Sequence, residues 1–261
     1  TDTATGNVRI DGNVTGEDEN SPGLFLTSEG RGNIVVQSAA DLVITGVTPS
    51  HPTVTQGQTN NQRRVTVAIE NRGGSALTLD LASATLDFED GNVNWRFHRQ
   101  SGDATLPGNS VASLVYVIDS VTANSGNWEI DASVSGDEDN SGDDRNANAS
   151  ALGTAGRIWV QTKPSLSFTS ATVLAPNGTW VNTDQSFQVA IEIKNAGEAQ
   201  ANQVQYNVAA VNGSGPPPVL PLTIPVLTGK STVADTFDVV AATSPTADEF
   251  QMEITSGQDD T

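Results

Sequence analysis

The chain has 261 residues, of which 36% are apolar and none is cysteine, and its 31 acidic against 12 basic side chains give a formal charge of −19. Without cysteine there are no disulfides, no thiolate metal centre and no cysteine nucleophile. No apolar run approaches the ~20 residues of a membrane-crossing helix, and a charge of this sign repels the phosphates of nucleic acid.

The length suits about two domains. The opening stretch TDTATGNVRI has neither a basic region nor an apolar one, so any secretion signal is expected to have been removed already. Lysine occurs only at Lys163, Lys194 and Lys230. A strongly acidic, lysine-poor surface stays soluble where salt screens its self-repulsion, which suggests a marine or halophilic source.

Taken in chain order, the elements repeat. NVRIDGNVTGEDENS, Asn7 to Ser21, lines up with NWEIDASVSGDEDNS, Asn127 to Ser141, and a shorter echo, FQMEITSGQDD, starts at Phe250. NIVVQ at Asn33 matches RIWVQ at Arg157, and VTVAIENRGGSA at Val65 matches VAIEIKNAGEA at Val189, with Asn71 against Asn195 and Gly73 against Gly197. The period, roughly 120 residues, is that of a whole domain rather than of a solenoid unit. Residues 1–38 therefore read as the last two strands of a preceding repeat. Residues 41–162 read as a complete unit, and residues 165–261 as a second unit lacking its final strand.

Within a unit the apolar period is two. Val65, Val67 and Ile69 alternate with polar or small neighbours, as do Val189, Ile191 and Ile193, and Trp128, Ile130 and Val134. Half-buried strands require this pattern. Further strands are expected at Leu42–Val47, Leu77–Leu81, Val93–His98, Val111–Ile118 and Arg157–Gln161, with a hairpin turn at the Asp-Gly of Glu89–Asn92. No amphipathic helix stands out. About seven or eight short strands with frequent turn signals predict an all-β fold: tandem immunoglobulin-like antiparallel β-sandwiches. The Asn-x-Gly after the second strand is expected to supply a residue with positive φ. Val65, Ile69, Leu79, Trp95, Phe97, Leu114, Tyr116, Trp128, Ile130 and Ile158 are the expected core of the complete unit.

The segment Leu166 to Val208, in which a short strand and a polar stretch lead into a strand ending in Asn-x-Gly-x-Ala, resembles CARDB, the cell-adhesion-related domain of bacteria and archaea. Leu42 to Leu81 carries the pattern more faintly. The resemblance covers about a third of each repeat. It implies an immunoglobulin-like extracellular module used in surface arrays, and it brings no catalytic residues.

Ser135 to Asp144, SGDEDNSGDD, is the most concentrated acidic stretch. Asp137, Asp139, Ser141 and Asp143 place oxygens at alternate positions, with Gly142 available for a sharp turn, as a Ca²⁺ loop requires. Against calcium, Asn148 stands where a bidentate Glu would close such a loop, and the first copy has Pro22 in place of the glycine. The competing reading is a hairpin loop made acidic for solubility. Calcium is the only cofactor suggested. In a sandwich of this kind the loop lies at the end carrying the N-terminus, facing the junction with the preceding module.

His51 and His98 are the only histidines, and neither has a nucleophile nearby in sequence; no enzymatic activity is expected. Trp159 and Trp180 are candidates for stacking on a sugar, or for covering a sheet edge or an inter-module contact. Gly213 to Pro225, with five prolines, reads as an edge segment. Sequons occur at Asn13, Asn148, Asn177 and Asn212.

The expected function is that of a non-enzymatic, extracellular structural or adhesive repeat protein forming a stiff acidic rod or a head-to-tail filament on a prokaryotic surface. The alternative is a carbohydrate- or protein-binding accessory module of a larger secreted protein. The expected partners are neighbouring repeats, joined either in tandem, the chain being an excerpt of an array, or by strand exchange through Asn33, Ile34, Val35, Val36 and Gln37. If the acidic surface is an adaptation to salt, the unfolding midpoint rises between low and molar salt; an unchanged midpoint contradicts it.

Overall fold

The structure is a computed structural model that describes residues 5–59, 63–211, 214–215 and 221–259. It is all-β except for one four-residue helical turn, and it comprises tandem immunoglobulin-like sandwiches.

The first two strands, β1 (Gly6–Glu17) and β2 (Phe25–Val36), form a separate antiparallel hairpin. Next come β3 (Leu42–Pro49), β4 (Thr53–Thr55), β5 (Arg63–Asn71), β6 (Leu77–Leu79), β7 (Thr85–Asp87), β8 (Trp95–Ser101), β9 (Thr105–Leu106) and β10 (Ser110–Val121). Then follow β11 (Gly126–Glu138), β12 (Asp144–Asn148), the helical turn α1 (Ala149–Leu152) and β13 (Gly156–Gln161). One sheet has the order β3-β5-β10-β8. The other runs β4-β13-β11-β6-β9, with β7 and β12 also on β11.

Between these two sheets lies a single core. Of the ten residues expected there, eight are buried, and Phe97 and Trp128 are half-buried against it. Phe88 stacks on Trp95 with ring centroids 4.0 Å apart.

The second sandwich uses β14 (Leu166–Leu174), β15 (Ser186–Asn195), β16 (Ala201–Ala210), β17 (Leu222–Leu227), β18 (Thr232–Val240) and β19 (Phe250–Asp259). Its sheets have the orders β14-β15-β18 and β17-β16-β19. The fully buried Tyr206 on β16 ties them together by donating its hydroxyl to Asp235 Oδ2 on β18 at 2.6 Å. The proline-rich segment, where described, ends in β17, an edge strand whose Pro225 needs no ladder donor.

Three sequence expectations are corrected. Glu89–Asn92 is not a hairpin turn: β7 pairs with β11 and β8 with β10, so the segment crosses between sheets. The reason is the Phe88–Trp95 stack together with Asn92, whose side chain accepts from Phe88 N at 3.0 Å and donates to Leu86 O at 2.8 Å. The acidic stretch does not lead straight into the last strand. It turns from β11 into β12, which adds alongside β11, and α1 follows, capped by Asn148 and by Gly153 at φ 69°. Finally, neither Gly73 nor Gly197 has positive φ; their role is steric and is described below.

The hairpin β1–β2 copies the register of β11–β13. Gly6, Val8 and Ile10 face Val36, Ile34 and Gly32, as Gly126, Trp128 and Ile130 face Val160, Ile158 and Gly156. The environments differ: Ile130 and Ile158 are 0% and 1% exposed, whereas Ile10 and Ile34 are 53% and 50% exposed. Leaving such a side chain in water forgoes roughly 1.5–3 kcal/mol each.

Candidate functional site

Each sandwich seizes the linker that enters it, and the two sandwiches do so with the same contacts. Asn71, at the end of β5, is fully buried; its Oδ1 accepts from Asp41 N at 3.1 Å and from Gly73 N at 3.0 Å. Its Nδ2 donates to Ser75 O at 2.8 Å. Asn195, at the end of β15, accepts from Ser165 N and Gly197 N, both at 3.0 Å, and donates to Ala199 O at 2.8 Å. One step upstream, the Ser38 hydroxyl accepts from Gly74 N at 2.7 Å, and the Thr162 hydroxyl accepts from Glu198 N at 3.0 Å. The carbonyls of Ser38 and Thr162 accept from Ser75 N and Ala199 N, both at 3.0 Å.

This arrangement explains the glycines. A Cβ on Gly73 would lie 1.9 Å from Ala39 O, and one on Gly197 would lie 1.9 Å from Lys163 O. The linker backbone occupies the volume of the absent side chain. The carbonyls of Gly73 and Gly197 accept from Asn109 N and Lys230 N, both at 2.8 Å. In the second sandwich Glu198 adds charge: its Oε2 accepts from Thr162 N at 3.1 Å and its Oε1 from Lys230 Nζ at 2.8 Å. The hydrogen bond from Lys230 is the largest of the effects that hold the Glu198 carboxyl below its usual range. The Asn-x-Gly pair was visible in the sequence. The hydroxyl clamp was missed, although both linkers begin Gln-Ser or Gln-Thr at equivalent places.

The acidic hairpin packs beside the first of these joints. Asn140 Nδ2 donates to Gln37 Oε1 at 2.8 Å, and Gln37 Nε2 donates to Gly74 O at 3.1 Å. Asp139 Oδ1 accepts from Thr78 Oγ1 at 2.9 Å, and the Ser141 hydroxyl accepts from Asp143 N at 3.2 Å. Buried Glu138 pairs with Arg145 at 2.6 Å, which holds its carboxyl low. Asp143 lies 3.6 Å from the same guanidinium. Asp137 sits opposite Asp144 across the strands, and the hydrogen bond between the two carboxyls raises Asp137 above its ordinary value, with burial and the charges of Asp144 and Asp80 acting in the same sense. The carboxylates of Asp137, Asp139 and Asp143 thus have different partners, Ser141 contacts the backbone of Asp143, and among the described residues no three carboxylates or histidines form a group suited to a metal.

The other candidates are scattered. His98 Nδ1 lies 2.9 Å from Asp119 on the outer face, and His51 contacts Ser50. Asn13 and Asn177 are exposed, Asn148 is the cap of α1 with its Nδ2 on Asp131, and Asn212 lies outside the described residues. Asn33 to Val36 belong to β2, and Gln37 to the linker.

Trp180 is 81% exposed and borders a cleft of about 520 Å³ shared with Val181, Phe187, Ala241 and Phe250. Among the described residues β19 has a neighbour, β16, on one edge only. Trp159, in β13, is 42% exposed between buried Ile158 and Val160. No helix among the described residues is long and apolar enough to cross a membrane.

No family model matches the chain, and no curated protein matches it. Among solved structures it is similar to the secreted serine protease VesC from Vibrio cholerae, at 7% identity and TM-score 0.29, over 83% of this chain and 51% of that one. It spans about half of the VesC chain. It is also similar to the YadV chaperone, at 9% identity and TM-score 0.25, covering 82% and 96%, and to a protein of unknown function from Porphyromonas gingivalis W83, at 10% and 0.26, covering 75% and 83%.

The raised Asp137 sets the sign of a pH effect. The folded state keeps a proton that the unfolded chain releases, so the stability from this group is full below the unfolded value of 3.8 and is lost as pH rises through the folded value. Asp137→Asn therefore raises the melting temperature at neutral pH, and the gain shrinks toward zero in strong acid. A gain that persists in acid contradicts the assignment.

Proposed function

We propose that the chain is a non-enzymatic structural or adhesive repeat protein of a prokaryotic cell surface, related to the CARDB modules it resembles in sequence, and that it serves as a stiff acidic rod or as a unit of a head-to-tail filament. The observation that carries this reading is the twice-built joint. Asn71 with Ser38, and Asn195 with Thr162, fix the first residues of each module against its own core. Linkers tied down in this way transmit orientation from module to module, unlike glycine-rich tethers. The charge of −19 keeps such rods soluble and apart in solution.

An accessory module that binds sugar or protein is the second reading. It draws support from Trp180, whose exposed indole could serve as a stacking platform beside the cleft.

Spin labels test the stiffness. The chain has no native cysteine, so labels at Val111→Cys and Gln188→Cys, both on exposed strand positions, report only the distance between the two sandwiches. A single narrow distance distribution is expected, broadened by Gly197→Ala, which drives a methyl group into the linker. A broad distribution in the parent chain contradicts the rod.

A further inference from the structure

We infer that the outer face of β5-β10-β8, in the first sandwich, is a docking surface for a carboxylate-bearing polysaccharide, held by Arg64 and Arg96. This rests on the adhesive form of the reading above and names the class of partner.

The starting point is an imbalance. Acidic side chains outnumber basic ones by 31 to 12, and Arg9, Arg31, Arg72, Arg145 and Arg157 each pair with a carboxylate. The other four arginines, Arg63, Arg64, Arg96 and Arg99, have no such partner among the described residues. All four belong to β5 and β8, the two strands that flank β10. Arg63 and Arg99 are half-buried and in phase with the core positions, and Arg99 donates to Leu81 O. Arg64 and Arg96 are out of phase with buried Val65 and Trp95 and stand exposed on the outer face.

This face is ordered as well as charged. Arg64 and His98 lie on either side of Val117 in one row of the sheet. Arg64 reaches across β10 and donates from Nε to Gln100 Oε1 at 3.0 Å. Val117 is 2% exposed although it belongs to the outer face and lies apart from the core. The Arg64 side chain is therefore held before any ligand arrives, which reduces the entropy lost on binding. Asp119, on the same face, is engaged by His98 at 2.9 Å.

The repeat shows that the fold does not demand these charges. Gln188 precedes Asn195 as Arg64 precedes Asn71, and it lies opposite Asp238 as Arg64 lies opposite Val117. There the two side chains bond to each other at 3.1 Å, and residues 165–261 contain no arginine.

Charge and shape select the occupant. A guanidinium matches a carboxylate as a two-pronged fork. A membrane or a second copy of this chain would set a broad negative surface against a molecule of charge −19. A single acidic thread touches the patch and avoids the rest. Peptide threads are recognised by a free sheet edge or by side-chain pockets. At the centre of this face the backbone of β10 is already paired on both sides, and Val117 is covered. A polysaccharide needs neither feature, and Gln100 Nε2 can donate to its hydroxyls.

Polygalacturonate is the probe, added to the full chain in about 0.1 M salt, where attraction beyond roughly 10 Å is screened. The chain is expected to bind it and to ignore neutral dextran. Arg64→Gln with Arg96→Gln should weaken binding at least about tenfold, with melting little changed because both side chains are exposed. Arg72→Gln with Arg157→Gln removes the same charge from paired arginines and should weaken binding less than about twofold. Arg64→Lys with Arg96→Lys, which keeps the charge and the fold but loses the fork, should weaken it about threefold.

No binding, equal weakening by the two glutamine pairs, or equally tight binding of polyglutamate or of phosphatidylglycerol vesicles each overturns the assignment. If the spin-label distance is narrow in that case, the rod stands without this partner.

Discussion

Everything in this molecule that could make it more than a string of sandwiches depends on one buried carboxamide per module. Asn71 and Asn195 each occupy a fully buried position where the end of a strand, the incoming linker and the following loop meet. A carboxamide is suited to this place because it accepts and donates at once. Aspartate would accept the two backbone N–H groups but could not donate to Ser75 O or Ala199 O, and leucine would strand all of them without partners. A buried polar group left unpaired costs about 1–3 kcal/mol, so the geometry is over-determined rather than merely favourable. The glycine two positions on completes the joint by giving up its side-chain volume to the linker backbone.

The chemistry beside the first joint is electrostatic but not convergent. The acidic hairpin spreads its carboxylates among separate partners: Glu138 on Arg145, Asp139 on Thr78, and Asp137 on Asp144. Glu138 stabilises the fold at neutral pH through its ion pair and loses that contribution in acid, whereas Asp137 acts with the opposite sign. The hairpin therefore balances an attractive against a repulsive contact within a few residues. It also touches the linker, through Asn140 and Gln37.

Much of the fold was legible because period-two alternation is a local property: β5, β10, β11, β13 and β15 appear where Val65, Leu114, Ile130, Ile158 and Ile191 mark them. Short pairings were not legible. β4, β7, β9 and β12 span five residues or fewer, and their existence is set by what lies beside them in space. The Glu89–Asn92 turn was misread because a Gly after an Asp has the same local signal in a hairpin as in a crossover between sheets; the Phe88–Trp95 stack and the Asn92 side-chain contacts distinguish them. The role of Gly73 was misassigned for a similar reason. Sequence reports that a glycine is present, but not whether it serves backbone rotation or close approach. Repetition, by contrast, was directly readable, and it is what allows β2 and β13 to be compared position by position.

The central claim is that each linker is part of the sandwich it enters. Amide hydrogen exchange measures this residue by residue. The account predicts that the amides of Asp41, Gly73, Ser165 and Gly197 exchange as slowly as those in the centres of β5 and β15, since opening them requires breaking the buried carboxamide contacts. Exchange of these four at the rate of exposed loops, with the two strands still protected, would show the linkers to be free tethers and contradict it.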